Sequence, residues 1–403
     1  MQKRANLLLI TFAEILALAL WFSGTAAGPG LIAEANAPVA GFQSWLTSAV
    51  QAGFVLGTFV SALLALPDRF DPRRVFGAAA LFGAAANAII LILPPGSLAD
   101  LVCRFATGIA LAGIYPVGMK LAVGWSSRND TGLVVGLLVG GLTLGSALPH
   151  LVNALGGLGW RPTIATASVC AVAAAILILR VSLGPLHTTA PRFRPSQALR
   201  LLRHRDTRLV TLGYLGHMWE LYAMWAWIGA YLGASFTAAR HAAPATPSLA
   251  SLATFAVIGI GAIGSVGAGL IADRLGRIRV TCTAMLVSAA CCLLAGPLFG
   301  AAPAVTIALG LIWGVAVVAD SAQFSACIAE LAPPGLTGTL LTVQVCLGFS
   351  LTLIAIQLMP WFIALSGWGG AFAILALGPL LGIWAMLTLR RSPDAARLAG
   401  GRG

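Results

Sequence analysis

Apolar stretches of about 20 residues recur along the chain with short polar breaks between them. They fall near 6–28, 45–66, 75–94, 98–124, 132–153 and 163–181, then near 208–234, 249–272, 280–299, 304–330, 338–360 and 370–389. Each is long enough to cross a hydrocarbon core about 30 Å thick. None shows the alternation of period two that a lipid-facing barrel strand needs. Backbone amides in lipid must bond within their own segment, so the pattern predicts an all-α membrane protein of twelve transmembrane helices. One longer polar stretch, SLGPLHTTAPRFRPSQALRLLRHRDTR from Ser182, separates six spans from six. The expected divisions are a first bundle over 1–181, a linker over 182–207, a second bundle over 208–389 and a tail over 390–403.

Composition agrees, with 59% hydrophobic and 9% charged residues, far from the balance of a soluble domain. The net charge of +12 is unevenly spread. If the N-terminus is cytoplasmic, Lys3, Arg4, Arg69, Arg73, Arg74, Arg128, Arg180, Arg192, Arg194, Arg200, Arg203, Arg205, Arg208, Arg274, Arg277, Arg279 and the tail arginines all fall inside. Only Arg161 and Arg240 fall outside. The positive-inside rule therefore predicts an inner (plasma) membrane protein with both termini cytoplasmic. Basic residues beside anionic headgroups account for the charge without nucleic acid. The opening MQKRANLLLITFAEIL runs on as a first helix and offers no small-residue cleavage site. Seven cysteines lie within spans, where thiols act as small hydrophobes and imply neither zinc nor disulfides.

The halves repeat. Glu14 precedes Trp21 by seven residues, as Glu220 precedes Trp227, at an offset of 206. The same offset carries Gly108 onto Gly314 and Thr131-Gly132 onto Thr337-Gly338. Asp68-Arg69 meets Asp273-Arg274 at 205, and Gly159-Trp160 meets Gly367-Trp368 at 208. The segment GLIADRLGR, 269–277, resembles the cytoplasmic loop signature of the major facilitator superfamily, and the first half carries a relative of it, LPDRFDPRR, without the glycines. RFATGIALAGIYP from Arg104 resembles that family's Arg-x-x-x-Gly pattern in helix four. The resemblance implies two pseudo-symmetric six-helix bundles around a central cavity, with alternating access. It also implies gating loops formed by Asp68, Arg69 and Arg73 in the first half and by Gly269, Asp273, Arg274, Gly276 and Arg277 in the second.

Charges at mid-membrane cost about 2.5 to 3.5 kcal/mol each on insertion scales, so the survivors point to function. They are Glu14, Arg104, Glu220 and Asp320. On helix seven, His217, Glu220, Met224, Trp227 and Tyr231 share one stripe, which sets a carboxylate among aromatic rings. Such a group is suited to taking and releasing a proton, though it can equally be tied to a neighbouring helix. Arg104 reads either as a salt-bridge partner of Glu14 that lets go on protonation or as an anion site, since its fork suits a carboxylate. Asp320 and Gln323 share a stripe on helix ten that fits a gate or a loop brace as well as a cavity. Lys120 is expected to snorkel.

No phosphate loop, nucleophile elbow, metal cluster or triad spacing is visible, which argues against an enzyme. The sequence is read as a proton-coupled secondary transporter leaning to efflux of hydrophobic or cationic compounds. Proton-linked uptake of a small organic anion is the alternative, and a membrane sensor or enzyme a remote one. The expected partners are a small-molecule substrate, protons and membrane lipid, for a monomer without cofactor.

Overall fold

The computed structural model describes residues 2–126, 130–155, 159–187, 197, 203–239, 247–333 and 336–402. Arg128, Arg192, Arg194, Arg200 and Arg240 of the topology argument lie outside them. Helices account for nearly all of the described residues, and none of these is in a strand. In order they are α1 (Gln2–Glu34), α2 (Phe42–Arg69), α3 (Pro72–Ile92), α4 (Leu98–Val123), α5 (Gly132–Leu155), α6 (Trp160–Ile178), α7 (Arg205–Ala238), α8 (Ser248–Leu275), α9 (Arg277–Ala295), α10 (Pro303–Leu331), α11 (Thr337–Ser366) and α12 (Trp368–Arg390). Eleven of the twelve are long and apolar enough to cross a membrane. The exception, α7, is longer than any of them and more polar, because it carries His217, Glu220, three tryptophans and three tyrosines, and it lies largely buried.

Local chemistry sets the helix ends. Ser97 and Asp100 cap the start of α4 reciprocally, each side chain meeting the other's backbone N–H. Asp71 caps α3, with Pro72 in the first turn where its missing N–H costs nothing. The Arg73 guanidinium, which donates to both carboxylate oxygens, holds the Asp71 carboxyl below its usual range. Three of the long helices are interrupted near their middles: α4 around Ala112–Ile114 ahead of Pro116, α8 at Ile260, and α10 at Asp320. Interruptions at this depth are tolerated only where surrounding protein satisfies the freed groups.

Packing follows the repeat. Within the first six helices α1 lies on α5 and α6, α2 on α4, and α3 on α6; within the last six α7 lies on α11 and α12, α8 on α10, and α9 on α10 and α12. Gly108 lets α4 approach α2 so closely that a Cβ there would sit 2.1 Å from the Val50 carbonyl oxygen. Gly314 does the same for α10 and α8, at 1.9 Å from the Val257 oxygen. The offset seen in the sequence therefore reappears as one repeated contact, of the small-residue kind that builds helix interfaces in lipid.

Two seams join the groups, α2 against α11 and α5 against α8. On the face bearing the chain ends, the start of α5 meets the end of α8: a Cβ on Gly132 would lie 2.8 Å from Gly269 O and 3.3 Å from Asp273 Oδ2. Near the opposite face, Gln357 of α11 accepts from Ser44 and donates to Ser48 of α2, both at 3.0 Å, and Asn153 of α5 donates to Ser251 of α8 at 3.4 Å.

Candidate functional site

At mid-depth, rings from both groups meet. Trp21 and Phe22 come from α1, Phe54 from α2, Tyr222 and Trp225 from α7, and Phe349 from α11, all of them buried. Centroids are 4.9 Å apart for Trp21 and Phe54, 4.5 Å for Phe54 and Phe349, 5.8 Å for Trp21 and Tyr222, 5.0 Å for Tyr222 and Phe349, and 5.7 Å for Phe22 and Trp225. These separations are those of tilted and offset aromatic pairs. The chain is closed here, the centre being filled by its own rings.

Helix α7 has two working faces. Tyr222 and Trp225 point at the first six helices, whereas the stripe singled out from the sequence looks into the second six. Glu220 Oε1 accepts from Ser288 Oγ at 2.5 Å and Cys292 Sγ at 3.1 Å, both on α9, and from Trp313 Nε1 of α10 at 2.5 Å. His217 Nδ1 lies 2.9 Å from Asp320 Oδ1, at the break in α10, both side chains being almost completely buried. Met224 is fully buried. Trp227 is half-buried and donates to the Ile356 carbonyl of α11 at 3.3 Å, while Tyr231 donates to the Ala295 carbonyl at 2.6 Å.

Arg104 is wholly buried, and all its hydrogen-bond acceptors are neutral: the carbonyls of Leu20 (3.0 Å), Trp21 (2.5 Å) and Leu46 (3.4 Å), Ser23 Oγ (2.9 Å) and Asn87 Oδ1 (2.9 Å). The pairing with Glu14 weighed from sequence is not made in this conformation. Asn87 completes the cage, donating in turn to Ile164 O and Ser168 Oγ of α6. Glu14 lies instead against α4, where a Cβ on Gly118 would be 3.2 Å from its Oε1. It is fully buried, and among the described residues neither of its oxygens has a hydrogen-bond partner.

The loop residues gather on the face of the chain ends. Asp68 pairs with Lys120, which also donates to Pro67 O at 2.8 Å, so the Lys120 ammonium ends at the polar terminus of α2. Arg73 holds Asp71 and donates to Val181 O at 3.0 Å. Arg69 and Arg274 have no contact among those described that assigns them a task. Asp273 sits at the N-terminal end of α5, where a helix dipole favours a carboxylate. Arg277 grips Glu330 of α10 through Nη2 at 2.7 Å and Nε at 3.0 Å and donates to Gln323 Oε1 at 3.0 Å. Gly276 has φ +94°, and the Arg402 carbonyl occupies the space a side chain would need. The tail seals this corner: Ala399 N donates to Glu330 Oε2 at 3.0 Å, Arg402 to Asp273 O at 2.8 Å, and Ser392 Oγ to Asp206 Oδ2 at 2.6 Å. Gln51, Asn87, Tyr222, Trp225 and Phe349 escaped the sequence reading because nothing in their spacing sets them apart from ordinary helix positions.

Two groups of membrane helices closing on a buried centre of rings, with ionisable groups just behind, define a carrier. The sequence model of the Major Facilitator Superfamily matches residues 7–354, and the chain belongs to that family. The fold is similar to the crystal structure of a point mutant of the nucleoside transporter NupG, with a TM-score of 0.72, 13% identity and coverage of 95% of this chain and 99% of that one. A chloramphenicol resistance protein of Streptomyces lividans is 27% identical over 202 residues, which is 48% of this chain. The match spans only 46% of that relative's length. Family membership makes the protein a multi-pass membrane transporter rather than an enzyme, and a small-molecule substrate is consistent with it.

Proposed function

We propose that the chain exports hydrophobic or cationic small molecules across the cytoplasmic membrane in exchange for protons, as a monomer with both termini in the cytoplasm. Glu14 carries the reading. A carboxylate buried in the membrane without a partner is costly in its charged form. It therefore suits a group that holds a proton while the carrier is closed and releases it when one face opens. Glu220, and Asp320 with His217, supply further acid–base groups in the second half. Export is favoured over uptake by the apolar, aromatic character of the centre and by the resistance protein among the relatives.

Uptake of a small organic anion has one observation in its favour, the absence of a carboxylate among the hydrogen-bond partners of Arg104. Against it, five protein acceptors already occupy the guanidinium. In inside-out vesicles with an imposed pH gradient, the wild type is expected to accumulate an apolar or cationic dye, and Glu14→Gln to abolish the gradient dependence while still binding the dye. Gradient-driven accumulation that survives Glu14→Gln unchanged removes Glu14 from the mechanism. Accumulation of an anion in cells, with no dye movement in vesicles, replaces export by uptake.

A further inference from the structure

The ring cluster contains polar atoms that the fold leaves without partners. Among the described residues, the indole N–H groups of Trp21 and Trp225 have no acceptor and neither amide atom of Gln51 on α2 has a partner, although each of these residues is at most 1% exposed. Buried donors and acceptors are nearly always paired, and of the atoms left unpaired among the described residues these four belong to two of the central rings and to their neighbour on α2. Gln51 belongs to the cluster by register. Thr25 and Thr47 bond across α1 and α2 at 2.6 Å, and one turn further on Trp21 meets Phe54 at 4.9 Å. Gln51 lies one turn from Thr47 and three residues from Phe54, so it shares their face. On the α11 side it is bracketed by the Ser48–Gln357 bond and the Phe54–Phe349 contact.

The ionisable groups turn away from this centre. Glu220 is occupied by α9 and α10, Asp320 faces His217 at the break in α10, and Glu14 lies against Gly118. Arg104 touches only the backbone side of Trp21, with its donors engaged. Among the described contacts of the central rings there is no charged side chain, so a charged cargo seated there would bear much of the cost of leaving water. Two indoles offer donors only, and a carboxamide offers one donor edge and one acceptor edge. The complement is a flat, uncharged ring bearing a carbonyl and an N–H.

We propose that, once the two groups of helices part, Trp21, Gln51 and Trp225 form the recognition set for an uncharged aromatic amide or lactam, with the amide edge on Gln51, the carbonyl on an indole N–H and the ring taking the place the central rings now fill for one another. This rests on the reading of the chain as a carrier whose site lies between its halves, and it narrows the cargo to the uncharged part of that range. The probes are 2-naphthamide, 2-naphthoate and 2-naphthylmethylammonium, which share one ring system and differ in charge. Binding to the purified full chain is measured by calorimetry, and pH-gradient-driven movement in the same vesicles. Naphthamide is expected to bind about ten-fold or more tighter than either ion, an amount set by one or two hydrogen bonds. Gln51→Leu is expected to remove that preference. Trp225→Phe keeps the ring, loses the N–H and is expected to weaken naphthamide alone, which guards against a Leu variant that fails to fold. Equal or tighter binding of an ion overturns the amide assignment, as does a full preference retained in both variants. Absence of gradient-driven movement for every probe overturns the export reading instead, while the binding order still judges the cargo class.

Discussion

Replacing Arg104 by lysine keeps the charge and removes the fork. Arginine here serves five acceptors spread over α1, α2 and α3, namely three carbonyls, a hydroxyl and the Asn87 amide oxygen. An ammonium has three donors, so at least two acceptors lose their bond to this side chain, although the helix carbonyls keep their own intrahelical N–H and Asn87 Oδ1 keeps Ser23 Oγ. At about 0.5 to 1.5 kcal/mol for each bond lost, with ~0.6 kcal/mol the mean for interhelical hydrogen bonds in membranes, two lost bonds come to about 1 to 3 kcal/mol. The assay is thermal unfolding of the purified chain in detergent, with the wild type and Asn87→Ala in parallel. Asn87→Ala is expected to destabilise too, since it strips one acceptor from Arg104 and a bond from Ser23. The double variant should lose less than the sum, because both changes act on one network. A lysine variant that melts with the wild type would refute the argument, and would mean that charge alone, not the fork, is needed at this position.

Other expectations rest on separate contacts. Glu220→Gln keeps an oxygen able to accept from Ser288, Cys292 and Trp313, so the melting temperature should stay close to that of the wild type; a large fall would make Glu220 a structural brace. Gly314→Ala drives a methyl to 1.9 Å from Val257 O and should cost about 1 to 3 kcal/mol, whereas Gly267→Ala, with nothing within 4 Å, should be neutral or mildly stabilising. Similar melting of the two would contradict the close approach. Asp71→Ala removes a helix cap whose carboxyl sits below its usual range, so that its contribution is present above that range and fades as pH falls through it. The gap between wild type and variant should therefore be open at pH 7 and closed in strong acid, and a gap that widens in acid would contradict the cap.

How legible the chain was depended on what each feature leaves in a sequence. Membrane helices are written in apolar runs, and α1 to α12 lie close to the expected spans because lipid imposes a minimum apolar length on each. The 206-residue offset survived because Gly108 and Gly314 guard contacts that no larger residue can make. Direction of facing was harder to read. His217 and Glu220 stood out by charge, but which neighbour a stripe meets depends on where α9 and α10 lie, and that is a property of the whole bundle. Gln51 and Asn87 look like any polar residue in a helix until the partners around them are known. Asn87 has four and Gln51 none.

The α2–α11 seam differs in kind from the interfaces inside each group. Gly108 on Val50 and Gly314 on Val257 leave no room to slide, whereas Ser44, Ser48 and Gln357 across α2 and α11 are held by exchangeable hydroxyl and amide bonds. Water admitted at that rim can replace each of these bonds one for one, so opening there is a swap of partners with little net enthalpy. The rate of such a step is governed by hydration of the rim. Osmolytes that draw water off the protein surface should therefore slow the carrier at fixed substrate, whereas a change in helix packing would leave it insensitive to them.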